Sequence, residues 1–477
     1  MNKKWLIFTF VAIAQFMVVL DSSITNVALP AIKQSLHFST NTLQWVITAY
    51  ALTFGGFLLF GGRAADLFGR RKTLLLGMSG FTLISLFIGL SQSAFMIIAL
   101  RALQGLAAAF MSPSALSIVL TTFSEGNDRN RALGFWTTIA TGGAAVGLLL
   151  GGTLTQYLGW RWNFFINVPI GIFVITMLSR LLPIHEQEEV NRSHLDLPGA
   201  ALVTASIISL VYVVSEGATW GWLSLQTVGL FILSLALLMG FILRESHTEN
   251  PLIPLSIFKS RNVVGANLMM APIFAGMFGN FFMISLYTQT VLHFDPVLTG
   301  LSFLPFPVIL GIVSTRVAKL VSKYGYKRFL FIGPIIVAIA MAWFTRLPVQ
   351  GNYFIDLLPG FILMPLGLGM TFTPIVLAAT SGVPSNRAGL ASGLINTSQQ
   401  MGGALGLSIL STVAAAATVN NSSLDKMTAT VIGYQHAFFI AVILIIFATV
   451  LGGFLIVEKK RLPKGSSNSS SATISTK

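Results

Sequence analysis

The chain has 477 residues, 54% of them hydrophobic and 9% charged, with a mean hydropathy of +0.80. Soluble domains carry about 25% charged residues, so a soluble globular protein, a disordered chain and a fibrous one are excluded. The formal net charge is +14, from 29 Lys+Arg against 15 Asp+Glu; in so apolar a chain this marks the cytoplasmic loops of a membrane protein, not a nucleic-acid surface. A membrane-spanning helix needs about 20 mostly apolar residues. Fourteen stretches qualify, near 6–30, 42–62, 73–91, 94–120, 132–154, 163–182, 198–215, 224–243, 263–288, 297–315, 328–345, 354–380, 389–415 and 434–457. They are called segments 1 to 14 below. With no cysteine, disulfides, Fe–S clusters and Cys-ligated zinc are excluded.

An even count puts both termini on one side. With the N-terminus inside, the outer connections carry only Lys33, Arg161, Arg346 and Lys426, and Arg101 falls within segment 4. The remaining 24 of the 29 basic residues are then inside, which fixes the orientation by the positive-inside rule. Lys3 and Lys4 ahead of an apolar run, with Ala12-Ile13-Ala14, have the outline of a secretory leader. The run continues to Pro30, long enough to span, so it reads as an uncleaved helix. The long connections 183–197 and 244–262 face the cytoplasm, and the Ser-rich tail from Gly465 to Lys477 reads as disordered.

In segment 1, Asp21, Ser22, Thr25 and Asn26 fall on an arc of about 140° at 100° per residue, a polar stripe facing protein or water. Asp21 is nine residues before Pro30, roughly 13 Å from the outer end. After segment 2 comes the tight basic turn Gly62-Arg63-Ala64-Ala65-Asp66-Leu67-Phe68-Gly69-Arg70-Arg71-Lys72. Segment 4 contains Arg101-Ala102-Leu103-Gln104-Gly105. Arg101 lies seven residues after Ala94, roughly 10 Å from the outer end, so it reaches the depth of Asp21 on a helix running the other way. Charge inside a bilayer is expensive, and these two residues are the functional candidates by default. The alternative is a structural ion pair between segments 1 and 4.

Segment 5 places Gly143, Gly147 and Gly151 four apart, followed by Gly152, so one face admits a neighbouring backbone. Glu216, Asp295 and Asp356 sit near outer ends and read as solvated. Segment 9 carries Met269, Met270, Phe274, Met277, Phe278, Phe281, Phe282 and Met283 around nearly every face, with Asn267 and Asn280 as its polar residues. Segment 13 carries Asn396, Gln399 and Gln400 ahead of Gly402-Gly403. Buried amides need partners, through substrate or through a neighbouring helix.

The chain also repeats itself. At an offset of 256, Gly69-Arg70-Arg71-Lys72 matches Gly325-Tyr326-Lys327-Arg328, and Asn130-Arg131-Ala132 matches Asn386-Arg387-Ala388. Gly142-Gly143-Ala144 meets Gly402-Gly403-Ala404 at 260, one helical turn out of step. The expected division is 1–182 as a six-helix bundle, 183–262 as two inserted helices with their loops, 263–457 as a second six-helix bundle, and 458–477 as a cytoplasmic tail. Paired halves with a midplane site between them mark a transporter.

The loop around Asp66 resembles the GxxxDxxGRR loop of the major facilitator superfamily, and Arg101 to Gly105 resembles its RxxQG motif. The Gly143 to Gly152 run resembles the GxxxGPxxGG motif associated with antiporters, with Leu148 where that motif has Pro. Leu20-Asp21-Ser22-Ser23-Ile24-Thr25-Asn26-Val27-Ala28-Leu29-Pro30 resembles the LDxTIVNVALP string of the fourteen-helix drug:proton antiporters of the EmrB/QacA type. Trp160-Arg161-Trp162-Asn163-Phe164-Phe165-Ile166-Asn167-Val168-Pro169 is similarly typical. The resemblance implies an all-α major facilitator fold of fourteen helices. It implies a monomeric exporter of hydrophobic or cationic compounds from the plasma membrane, driven by the proton gradient with no cofactor. It assigns proton and substrate coupling to Asp21, tuning to Arg101, and a conformational latch to Asp66 and Arg70 within Gly62, Gly69 and Arg71. Ser322 stands at the Asp66 position of the second copy, so no latch is carried there. Thr25, Asn26, Gln104, Asn267, Asn280, Asn396, Gln399 and Gln400 are the cavity candidates.

A carboxyl group held between burial, which raises its pKa, and a nearby Arg, which lowers it, can exchange a proton for a substrate. No GxxxxGK[ST] loop is present, so ATP is not the direct energy source. His185-Glu186-Gln187-Glu188-Glu189 lacks the second His of a zinc-protease helix, and no GxSxG elbow occurs, so no catalytic or metal site is expected. Export of an endogenous metabolite, amino acid or lipid is the rival within transport, and a non-transporting sensor the rival outside it.

Overall fold

The apolar stretches fold as long helices in the computed structural model, which describes residues 3–123, 126–183, 196–249, 251–381, 383–384 and 387–458. Among these residues there is no β-strand. The helices in chain order are α1 (Lys3–Ser35), α2 (Thr40–Leu43), α3 (Trp45–Phe68), α4 (Arg70–Gly89), α5 (Ala94–Thr122), α6 (Asn127–Tyr157), α7 (Trp162–Phe165), α8 (Asn167–Leu181), α9 (Leu197–Trp220), α10 (Leu225–His247), α11 (Arg261–Thr290), α12 (Pro296–Ser302), α13 (Pro305–Tyr324), α14 (Lys327–Phe344), α15 (Leu358–Thr380), α16 (Ala388–Asn420) and α17 (Lys426–Leu455). Among the described residues, thirteen helical rods are long and apolar enough to cross a membrane. Segment 5 folds as α6, an unbroken helix of 31 residues. The tail beyond 458, most of 183–197 and Asn386 of the repeat lie outside the described residues.

Local chemistry sets the ends. Ser93, Ser224, Ser260 and Asp295 each accept a backbone N–H at the start of a helix, which satisfies donors the helix cannot. Segment 10 is broken into α12 and α13 where Pro305 opens the second piece, because proline offers no N–H to continue the first. The repeat reappears in backbone geometry: Gly69 and Gly325 both end a helix at positive φ, 95° and 80°, a conformation that disfavours a side chain.

Helices α1 and α3 to α8 pack mainly on one another, and α11 and α13 to α17 do the same, while the short α12 lies mainly against α6 of the first group. The inserted pair α9 and α10 pack together, and α9 leans on α3 from the first group and α16 from the second. The start of α1, the end of α17 and the turns at Gly69–Arg71 and Gly325–Lys327 lie at one end of the bundle, called the basic end here. The opposite end is the far end.

Candidate functional site

Asp21 and Arg101 meet. Both are buried, at 0% and 1% exposure, and Arg101 Nη1 donates to Asp21 Oδ2 at 2.5 Å. Arg101 Nε donates to the Val46 carbonyl at 2.9 Å, and Nη1 also reaches Gln104 Oε1 at 2.5 Å. Gln104 Nε2 donates to Asp21 Oδ1 at 2.9 Å and to Ser85 Oγ at 2.9 Å. Asn167 Nδ2 adds a longer bond of 3.3 Å to Asp21 Oδ1. The guanidinium lies over the Tyr50 ring, 4.3 Å from its centroid. Both charges are thus paired and hydrogen-bonded, the condition under which buried charge is tolerated.

Glycines make this approach possible. A Cβ on Gly105 would collide with the Tyr50 carbonyl and one on Gly61 with the Ala109 carbonyl, so α3 and α5 touch backbone to backbone. The glycines of α6 do the same against α1. A Cβ on Gly147 would lie 2.8 Å from Ser23 Cβ, one on Gly151 3.0 Å from Ile24 Cα, and one on Gly143 3.1 Å from the Phe16 ring. Gly152 points elsewhere, 2.9 Å (from the position of a Cβ) from Val297 Cα of α12 in the other helix group.

A cavity of about 400 Å³ lies between the two groups. Ser22, Ser23 and Asn26 of α1 line it, with Tyr50 and Arg101 beside them; Phe274, Met277, Phe278 and Phe281 of α11 face them from the second group. Phe306, Phe372, Gln399 and Gln400 complete the same side. The segment 1 stripe is therefore split: Asp21 and Thr25 turn into the first group, while Ser22 and Asn26 turn to the cavity. Thr25 Oγ1 is spent on the Asp21 carbonyl at 2.7 Å.

Of the cavity candidates, Asn26, Gln399 and Gln400 are on the wall. Gln104 and Thr25 are behind it, in the ion-pair cluster. Asn267, Asn280 and Asn396 are off it, a correction with separate reasons. Asn267 donates to the Val263 carbonyl and accepts from Ser398 at 2.6 Å. Asn396 is exposed, and Asn280 is fully buried inside the second group. On α11 the mixed Met/Phe pattern sorts by face: Met269, Met270, Phe282 and Met283 are core, and Phe274, Met277, Phe278 and Phe281 reach the cavity. Sequence reasoning gave no role to Ser85, Tyr50 or Asn167. Asn167 belongs to the Trp160–Pro169 string; nothing marked the other two.

Toward the far end the two groups are closed against each other. Ser285 Oγ donates to the Asn26 carbonyl at 2.7 Å, Gln289 Nε2 to the Val27 carbonyl at 3.0 Å, and the Val297 N–H to Gln156 Oε1 at 3.1 Å. At the basic end, Asp66 and Arg70 form a 3.9 Å pair with each other, with side chains 66% and 40% exposed. Such a pair contributes little, and among the described residues it joins nothing across the groups. Arg71 Nη2 holds the Ser179 carbonyl of α8 at 2.7 Å. In the second copy of the loop, Glu458 accepts from the backbone N–H groups of Tyr326 and Lys327 at 2.9 and 3.4 Å. An acid from beyond α17 thus meets this turn, whose sequence has Ser322 at the motif-acid position.

Residues 11–407 match the family model of the Major Facilitator Superfamily. The chain is 37% identical over 463 residues to the puromycin resistance protein of Streptomyces alboniger, covering 95% of this chain and 92% of that one. It is 39% identical over 407 residues to the cephamycin export protein of Amycolatopsis lactamdurans, covering 85% and 84%. Its fold is similar to that of the POT family transporter PepTSo, with a TM-score of 0.69 at 16% identity over 95% of this chain and 98% of that one. Helical architecture, paired helix groups and sequence agree, and the chain belongs to the Major Facilitator Superfamily, a family of multi-pass membrane transporters and not of enzymes.

Proposed function

We propose that this protein exports hydrophobic small molecules, antibiotics among them, across a bacterial plasma membrane in exchange for protons. The observation that carries the reading is the buried Asp21–Arg101 pair set directly behind the wall of a cavity of drug-sized volume. A carboxylate in that place is costly to bury, and a proton can neutralise it. Resistance and export relatives at 33% identity or more over most of the chain support the drug-efflux class.

In this reading the basic end is cytoplasmic, with both termini there. The chain acts as a monomer, and two six-helix bundles rock about the cavity. Far-end closure is then the state that loads substrate from inside. Asp66 and Arg70 latch the basic end when the bundles meet there. Protonation of Asp21 removes the counter-charge of Arg101, so proton and substrate occupy the protein alternately.

Asp21→Asn keeps the shape and removes the titratable group. In proteoliposomes with an imposed proton gradient, the variant is expected to lose uphill efflux while still binding substrate. Full proton-driven export by Asp21→Asn would sink the coupling assignment.

A further inference from the structure

One ionised side chain reaches the cavity wall, and it is a cation, Arg101. The chain has fifteen acidic residues. Asp21 is the one at mid-bundle, and among the described residues no other acid is on the wall. Asp21 itself is fully buried, one oxygen held by Arg101 and the other by Gln104 and Asn167. A cation entering the cavity therefore meets no free carboxylate, and the nearer member of the buried ion pair is the guanidinium. Phenylalanine faces attract cations, but they do not replace the hydration lost beside a guanidinium.

An anion fares differently but no better. It would draw Arg101 away from Asp21 and leave the buried carboxylate without its partner. Anion binding thus strands a buried charge, a cost that an uncharged molecule does not meet.

The polar part of the wall has its own direction. Ser22 and Ser23 give their hydroxyl protons to the Val18 and Val19 carbonyls at 3.2 and 3.0 Å, and Asn26 Nδ2 donates to the Ser22 carbonyl at 2.8 Å. What α1 leaves toward the cavity is mainly oxygen lone pairs, from Ser22, Ser23 and the Asn26 amide oxygen, beside the one remaining Asn26 N–H. Opposite them stand Phe274, Phe278, Phe281 and Phe372, with the amides of Gln399 and Gln400 at their edge.

We propose that the cavity selects an uncharged aromatic molecule with hydroxyl or N–H donors along one edge, the donors against α1 and the rings against α11. This rests on the reading of the protein as a proton-driven exporter, and it departs from the cationic class that the family resemblance implies.

The test uses the full chain in nanodiscs at neutral pH and three probes of one scaffold: N-methylacridone, the N-methylacridinium cation and the N-(carboxymethyl)acridone anion. Fluorescence anisotropy is expected to rank the neutral probe at least tenfold tighter than either ion. Addition of a hydroxyl to the neutral ring is expected to tighten it further, and Ser22→Ala with Ser23→Ala to abolish that gain. Arg101→Gln is expected to raise the affinity for the cation relative to the neutral probe. A wild-type protein that binds either ion as tightly as the neutral probe overturns the proposal, whatever the variants do. If the neutral probe ranks first but is not moved by a proton gradient in proteoliposomes, the substrate class stands and the exporter reading falls.

Discussion

Gln104 Nε2 donates to Asp21 Oδ1 at 2.9 Å while Gln104 Oε1 accepts from Arg101, so one amide holds both members of the ion pair. Its orientation is forced: the oxygen must face the guanidinium and the nitrogen the carboxylate. Hydrogen bonds to charged groups contribute about 1.5–3 kcal/mol. Gln104→Leu, similar in size, is therefore expected to cut proton-driven efflux about tenfold or more while the protein still folds. Asn167→Ala, which loses only a 3.3 Å contact, is expected to cost less. Initial rates in proteoliposomes check both, and a Gln104→Leu protein with wild-type rates would show that the amide positions nothing.

Closure at the far end depends on α6 and α12 meeting without side chains between them. A Cβ on Gly152 would collide with the Pro296 carbonyl, and one on Gly300 with the Leu148 carbonyl. Overpacking of this kind costs about 1–3 kcal/mol, which is roughly a 5- to 150-fold shift between two states. Gly152→Val is expected to favour far-end opening. The chain has no native cysteine, so spin labels at Tyr157→Cys and Leu298→Cys report this gap directly; both side chains are exposed. The labelled distance should lengthen in the valine variant, and an unchanged distribution would remove Gly152 from the gate.

The inserted helix α9 bonds to both helix groups. Gln44 Nε2 donates to Ser215 Oγ at 2.9 Å, Ser408 Oγ to the Val211 carbonyl at 3.2 Å and Thr412 Oγ1 to the Val214 carbonyl at 2.9 Å. Hydrogen bonds between membrane helices average about 0.6 kcal/mol. Ser408→Ala with Thr412→Val should thus lower stability by about 1 kcal/mol. Substrate affinity should be unchanged, because neither residue lines the cavity. Thermal melts and a binding isotherm separate the two effects; a loss of affinity equal to the loss of stability would place α9 in the transport path.

The all-helical, multi-span character, the Asp21–Arg101 meeting and the glycine face of α6 were legible in sequence because each follows from period and composition. Apolar length gives a span, equal depth on antiparallel helices gives a meeting, and glycines four apart give one face. The cavity was legible only in part. Asn280 and Asn26 are the same residue type on helices of the same kind, yet Asn280 turns into the core and Asn26 to the cavity. Helix rotation relative to the bundle decides that, and a polar side chain alone does not encode it. Ser85 could not be found at all: a single serine in an apolar helix acquires meaning only when Gln104 arrives from another one.

Leu148 stands where the antiporter motif has proline, and it is 2% exposed, with its side chain on the cavity wall and its carbonyl against Gly300. As a consequence α6 runs unbroken from Asn127 to Tyr157. Leu148→Pro removes the N–H that serves the carbonyl four residues earlier and drives the ring into that turn, at a cost of about 3 kcal/mol or more. The helix is relieved by kinking, and the part that moves carries Gly151, Gly152 and Gln156, the last of which accepts from Val297 at 3.1 Å. The expected result is a longer Tyr157–Leu298 label distance together with an efflux rate at least tenfold lower, since the far end no longer closes on loading. Wild-type transport with a lengthened distance would instead mean that closure is made by α1 and α11 through Asn26 and Ser285, with α6 following.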